Sequence, residues 1–268
     1  MLTLPDHFDL LLSNIEPEEA RAKSAASLPW KVRDYLQSAD RIETVDPHSR
    51  LAGSYARHVA IKQIKDVDIL LLVAATYLEE KPEVVLNDLF SAVRGLAEAL
   101  DDTGEVVRRR QRRSIQVHLV KHDSDLDIVP AVAQDGIGEP LVIPDRDWSR
   151  WVETDPLGYA DCLSKLNKAH DGKVVPLVKL LKHWRDVHME RRRPKSYWLE
   201  CMIYHQVSTG SLETAERSYA EVWCNLLDGL QEEYAPYLDK YNAIPEVRDP
   251  TASERYVQAP PQRFYGDS

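Results

Sequence analysis

The chain has 268 residues, 43% hydrophobic and 29% charged, which suits a globular protein with core enough for one large domain or two smaller ones. A formal net charge of −10 argues against a protein that coats long nucleic acid, and no apolar run reaches membrane-spanning length. Cys162, Cys201 and Cys224 lie far apart in no metal or redox spacing, and the N-terminus lacks a signal-peptide core, so the expectation is a cytoplasmic protein with small buried cysteines.

Pro5–Asn14 reads as a short helix with Phe8, Leu11 and Leu12 on one face. A long helix follows from Glu18 to about Ala39, bent or interrupted at Pro29. Arg41–Pro47 leads into Leu51–Val73, LAGSYARHVAIKQIKDVDILLLV, which reads as a short strand, a Gly-Ser turn opening a helix, a connector and a strongly apolar strand. Gly53 lets the backbone approach a ligand closely, Ser54 offers a hydroxyl, and the free amides of the helix start suit nucleotide phosphates. Asp66 and Asp68 stand two apart in the apolar strand, so both carboxylates leave one face while Val67 and Ile69 enter a core.

Val84–Leu100 has Val85, Leu89, Val93 and Leu96 at helical spacing. Arg108–Arg113 then precedes a second pair of strands. That charge run is either a solvated face or, through Arg109, Arg110 and Arg112, a contact for nucleotide or product phosphates. Ser114–Val120 alternates as a strand, Lys121–Ser124 is a turn, and Leu126–Pro130 is a strand carrying Asp127. If this hairpin pairs beside the Asp66 strand, three carboxylates meet on one sheet face. They would repel one another unless a cation sat among them, and hard oxygen ligands suit Mg²⁺ or Mn²⁺. Two such ions fit an in-line nucleotidyl transfer.

Gln134–Trp151, with Gly136, Gly138, Pro140 and Pro144, reads as a loop and sets a boundary between residues 1–150 and 151–268. Beyond it the pattern is helical: Asp161–Lys168, Val174–His188, Ser196–Val207 and Thr214–Leu230, with loop-like composition from Pro245. Leu177, Leu180, Leu181 and Trp184 should face the core, and Lys179 and Lys182 share the face opposite most of that stripe. Ser196 and Tyr197 open the following helix. Together these four offer two ammonium groups, a helix start for a triphosphate and a ring for base stacking. The plainer alternative is a solvated lysine face, a serine cap and a core tyrosine.

Gly53-Ser54, eleven residues, Asp66-Val67-Asp68 and the later Asp127 resemble the signature of the DNA polymerase β-like nucleotidyltransferase superfamily. Ile143-Pro144-Asp145, Trp151, Asp155-Pro156, KLLKHW and KSYWLE are similar to its CD-NTase branch, the SMODS-type oligonucleotide synthases of bacteria. The resemblance implies an α+β fold: a mixed-sheet nucleotidyltransferase core with N-terminal helices, then a helical domain, two lobes around a cleft. It implies that Asp66, Asp68 and Asp127 bind two Mg²⁺ or Mn²⁺ ions. By the same resemblance Gly53, Ser54, Lys179, Lys182 and Ser196 hold nucleotide phosphates, and Tyr197 stacks on a base. The expected activity joins NTPs into a short cyclic or linear messenger in antiphage signalling, read by a downstream effector. Two alternatives stay open: nucleotidyl transfer onto a protein or tRNA, and a catalytically inactive nucleotide sensor or scaffold. No Cys/His zinc insertion is present, so DNA activation through one is not expected, and the helix that follows an Asp-Pro element in the family should be short or missing after Asp249-Pro250.

Overall fold

The computed structural model describes residues 3–39, 41–62, 66–100, 102, 111–189, 194–214, 218–241, 247–251 and 256–257. These form two units, residues 17–160 and residues 1–16 with 161–268. That division differs from the one read from composition at 150/151: the later boundary lies at 160/161, and the first helix joins the helical unit.

Residues 17–160 are built on a four-stranded mixed sheet of order β1-β2-β4-β3, with β1 at Thr44–Leu51, β2 at Asp66–Val73, β3 at Ile115–Leu119 and β4 at Ser124–Ala131. β2 runs antiparallel to β1 and parallel to β4, while β3 is antiparallel to β4. The β2 residues Val67, Ile69, Leu71 and Val73 enter the main core. There they meet Leu28, Val32 and Leu36 of α2 (Glu19–Gln37) and Val85, Leu86 and Leu89 of α4 (Pro82–Ala92). Between α2 and α4 in the chain lies α3 (Gly53–Ala56), a single turn. The helix expected over Val84–Leu100 is broken by a 3₁₀ turn at Val93–Gly95 before α5 (Leu96–Ala99). A Cβ at Gly95 would lie 2.8 Å from the Tyr35 hydroxyl, so the chain approaches α2 closely at that break.

The opposite sheet face changes character along β2. Leu70 and Leu72 pack with Ala131, Leu141 and Ile143, whereas the preceding positions carry Asp66 and Asp68. Leu141 and Ile143 belong to a hairpin, β5 (Leu141–Asp145) and β6 (Arg150–Thr154), in the stretch expected to be a loop. The run Leu141-Val142-Ile143 supplies its buried edge, and Pro144 sits near the end of a two-stranded ribbon, where a missing N–H is tolerated.

The other unit is helical: α1 (Leu4–Ile15), α6 (Pro156–Ala169, starting just before the boundary), α7 (Val174–His188), α8 (Ser196–Ser208) and α9 (Tyr219–Tyr241). A capping box between Thr3 and Asp6 starts α1, which packs on α7 and α9, with the Phe8 and Trp223 rings 6.4 Å apart. α6 begins five residues before the expected Asp161, because the Asp155 carboxylate accepts the Gly158 N–H at 2.8 Å and Pro156 suits a first turn. α9 begins at Tyr219, after Ser218 and Glu221 form a reciprocal cap. It continues beyond the expected Leu230. Trp184, expected in the core, is exposed and tilts against His188. Of the cysteines only Cys201 is buried; Cys162 is half-buried and Cys224 exposed. A two-residue ribbon, β7 (Val247–Arg248) and β8 (Tyr256–Val257), lies in the stretch read as loop-like. No helix among the described residues is long and apolar enough to cross a membrane.

Candidate functional site

The parallel register of β2 and β4 sets Asp66 beside Asp125 and Asp68 beside Asp127. Strand alternation therefore gathers four carboxylates on one face, where the sequence reading counted three. Asp125 was legible all along, because Asp125-Leu126-Asp127 repeats the D-x-D pattern of β2. On β3, Gln116 stands opposite Asp127 and His118 opposite Asp125, and His118 Nδ1 lies 2.6 Å from Asp125 Oδ1.

Burial and the charges of Asp68, Asp66 and Asp125 push the Asp127 carboxyl up to about 7, opposed in part by a hydrogen bond from Gln111. Burial, then Asp125, also raises Asp66. Among the described residues no three acidic, His or Cys side chains converge as a ready-made cage. Even so, the donor set fits a hard divalent cation. It is made of carboxylate oxygens whose mutual repulsion disfavours full ionisation, and a positive charge among them would reverse that sign.

Gly53 places the Gly-Ser turn directly against this face. Its φ is +64°, and a Cβ there would overlap the Asp68 carboxylate. Ala52 N–H donates to the Asp68 carbonyl at 2.8 Å, tying the turn to β2. Ser54 is half-buried in α3. Because α3 is one turn long, its aligned dipole is smaller than the expected helix would supply.

Arg109 and Arg110 lie outside the described residues. Arg112, read as either part of a solvated face or a contact for nucleotide or product phosphates, is engaged within the fold. Its Nε donates to Asp145 Oδ1 at 2.6 Å, and its guanidinium lies 4.2 Å from the Trp148 ring centre. Arg113 holds the other oxygen, with Nε at 3.0 Å and Nη2 at 2.8 Å from Asp145 Oδ2. Burial would raise the fully buried Asp145, yet the two guanidinium groups outweigh it and hold the carboxyl below its ordinary range.

In the helical unit both lysines meet carboxylates. Lys179 Nζ lies 2.6 and 2.7 Å from the two Glu16 oxygens. Lys182 Nζ lies 2.7 Å from Glu200 Oε1, with both side chains fully buried. The expected solvent-facing pair is thus drawn inward, since Glu16 and Glu200 come from α1's end and α8. That correction is sharpest for Lys182, which presents no surface to a nucleotide. Ser196 is the first residue of α8 and accepts from Arg185 Nη1 at 3.0 Å, while Lys195 occupies the cap position; Tyr197 is half-buried in the same turn. The structure therefore brings Gly53, Ser54, Asp66, Asp68 and Asp127 together within residues 17–160. Lys179, Lys182, Ser196 and Tyr197 belong to the helical unit.

Residues 2–167 match the family model of the Second Messenger Oligonucleotide or Dinucleotide Synthetase domain, SMODS. A cyclic AMP-AMP-AMP synthase of an Acinetobacter species is 31% identical over 93% of this chain and 70% of its own. A cyclic AMP-AMP-GMP synthase of Enterobacter hormaechei is 28% identical over 80% of this chain and 71% of its own. The fold matches the Bradyrhizobium diazoefficiens CD-NTase CdnG, solved with GTP, at a TM-score of 0.72 and 18% identity, covering 95% of this chain and 83% of that one.

Proposed function

This chain belongs to the Second Messenger Oligonucleotide or Dinucleotide Synthetase family of nucleotidyltransferases, and from that premise we propose that it joins ATP into a cyclic oligoadenylate with Asp66, Asp68 and Asp127 as its reactive centre. The observation that carries this reading is the β2–β4 register, which sets Asp68 beside Asp127 and leaves Asp66 on the same face. The choice of ATP and of a cyclic product rests on the similarity to the cyclic AMP-AMP-AMP synthase.

Asp66, Asp68 and Asp127 would hold two divalent cations, which when bound stabilise the charge on the transferring phosphoryl group and its attacking and leaving oxygens. Gly53 admits the triphosphate close to Asp68, since no side chain stands between them. Asp127 accepts the proton of the attacking 3′-hydroxyl. The new bond forms between that oxygen and the α-phosphorus, the α–β bridging bond breaks, and pyrophosphate leaves. Ser196 and Tyr197, at the start of α8, remain candidates for phosphate and base contacts. The product would act through a downstream effector in antiphage signalling.

Labelled ATP incubated with the protein and Mg²⁺ or Mn²⁺, then treated with phosphatase, should leave a resistant, end-free product that Asp127→Ala does not form. Label attached to added tRNA or protein, with no oligonucleotide, would refute the reading in favour of transfer to a macromolecule.

A further inference from the structure

A short relay of hydrogen bonds ends on Asp127. Ser114 Oγ donates to Gln111 Oε1 at 2.8 Å, and Gln111 Nε2 donates to Asp127 Oδ1 at 3.0 Å. With Asp127 ionised, only the amide nitrogen can face it, so the serine is left the amide oxygen as its acceptor. Ser114 is buried and Gln111 half-buried, so neither bond lies in open solvent.

The backbone that presents Gln111 is held from behind. Arg112 and Arg113, the next two residues, both grip the fully buried Asp145. Arg146 N–H donates to the Arg112 carbonyl at 3.0 Å, tying the same segment to the β5–β6 turn. Two arginines at the end of the Arg108–Arg113 run are here the anchor for a neutral side chain.

We infer that Gln111 is the positioning residue of Asp127, an amide that fixes one carboxylate oxygen while leaving the negative charge available to a divalent cation. The neutrality matters. A lysine or arginine at this place would orient Asp127 equally well but would cancel the charge that attracts the cation. A carboxylate has about four acceptor positions, so one donated bond leaves most of its capacity for a ligand role. Partners of this kind set the orientation of metal-binding carboxylates, and their loss costs roughly ten- to hundredfold in metal affinity. The inference rests on the reading of Asp127 as a cation-binding residue.

The test is Mn²⁺ binding to the full chain with a non-hydrolysable ATP analogue, read from the paramagnetic resonance signal of free Mn²⁺. Gln111→Met keeps the length of the side chain and removes its donor. It should weaken Mn²⁺ binding roughly tenfold or more, with unchanged thermal unfolding. Ser114→Ala should weaken it less, in the same direction. In turnover, Gln111→Met should need more Mn²⁺ for half-maximal rate and recover its kcat at saturation, a split that mere loss of fold would not give. Wild-type Mn²⁺ affinity in folded Gln111→Met, with Asp127→Ala defective, overturns the inference alone. Wild-type affinity in Asp127→Ala overturns the reading beneath it, and the inference falls with it. Should Gln111→Met fail to fold, Ser114→Ala decides: unchanged affinity there refutes the relay.

Discussion

Lys182→Met deprives Glu200 of an ammonium group 2.7 Å away while keeping the packing of a long, flexible side chain. Neither member of the pair has solvent-exposed surface, so water cannot replace the lost charge. Breaking a buried pair by removing one partner costs about 3–5 kcal/mol, whereas replacing both by apolar residues is often neutral or stabilising. For a chain of this size each kcal/mol moves the Tm by about 2–4 °C, so the single variant should melt roughly 6–20 °C lower. Lys182→Met with Glu200→Met should recover most of that loss. Thermal unfolding by circular dichroism and calorimetry measures the stabilities, and titration with a non-hydrolysable ATP analogue well below the Tm measures affinity. The single variant should keep near-native affinity in its folded fraction. If it instead keeps its wild-type Tm and loses nucleotide binding, Lys182 is a phosphate contact and the buried-pair argument is wrong.

Two further outcomes follow from the carboxylate face. Asp127 has a folded-state pKa raised to about 7 from 3.8. The folded state therefore binds its proton more tightly than the unfolded chain, and this contribution, full below the unfolded value, is lost as pH rises through about 7. In EDTA, the Tm difference between Asp127→Asn and wild type should widen in favour of the variant between pH 4.5 and pH 7.5, roughly the window those two pKa values define; a difference that stays flat refutes the electrostatic account. Gly53→Ala forces a side chain into a +64° φ and onto the Asp68 carboxylate, so urea unfolding should show a loss of about 1–3 kcal/mol and product formation should fall steeply. Wild-type rates in Gly53→Ala would mean that the turn is not at the reactive centre.

The parts legible in the sequence were those governed by local periodicity. The span of α7 matches its helical periodicity to the residue, and the apolar run of β2 announced a strand with Val67 and Ile69 in a core and its carboxylates on the other face. The β5–β6 hairpin was hidden by Gly136, Gly138 and Pro144, although Leu141-Val142-Ile143 and Arg150-Trp151-Val152 carried strand-like composition. Partner choice was the harder problem. Helical spacing places Lys179 and Lys182 on one face, but only tertiary packing shows that Glu16 and Glu200 wait there. The same holds for Arg112 and Asp145, 33 positions apart, where a charge run looked available for phosphates because its carboxylate lay across a hairpin that the sequence had not disclosed.

The company kept by α1 bears on how the molecule is made. Helix α1 is synthesised before the surfaces it packs on, α7 and α9, which lie beyond residue 160. At about 5–20 residues per second, the ribosome needs on the order of ten seconds or more to deliver them. During that interval residues 17–160 can complete their own sheet, while Phe8 has no Trp223 to meet. The capping box at Thr3 and Asp6 needs no distant partner and favours the helical form in the meantime. Until α9 emerges the nascent chain thus carries an apolar-faced helix without its packing partners, and a ribosome stalled before α9 would display it to chaperones and proteases together with the finished sheet of residues 17–160.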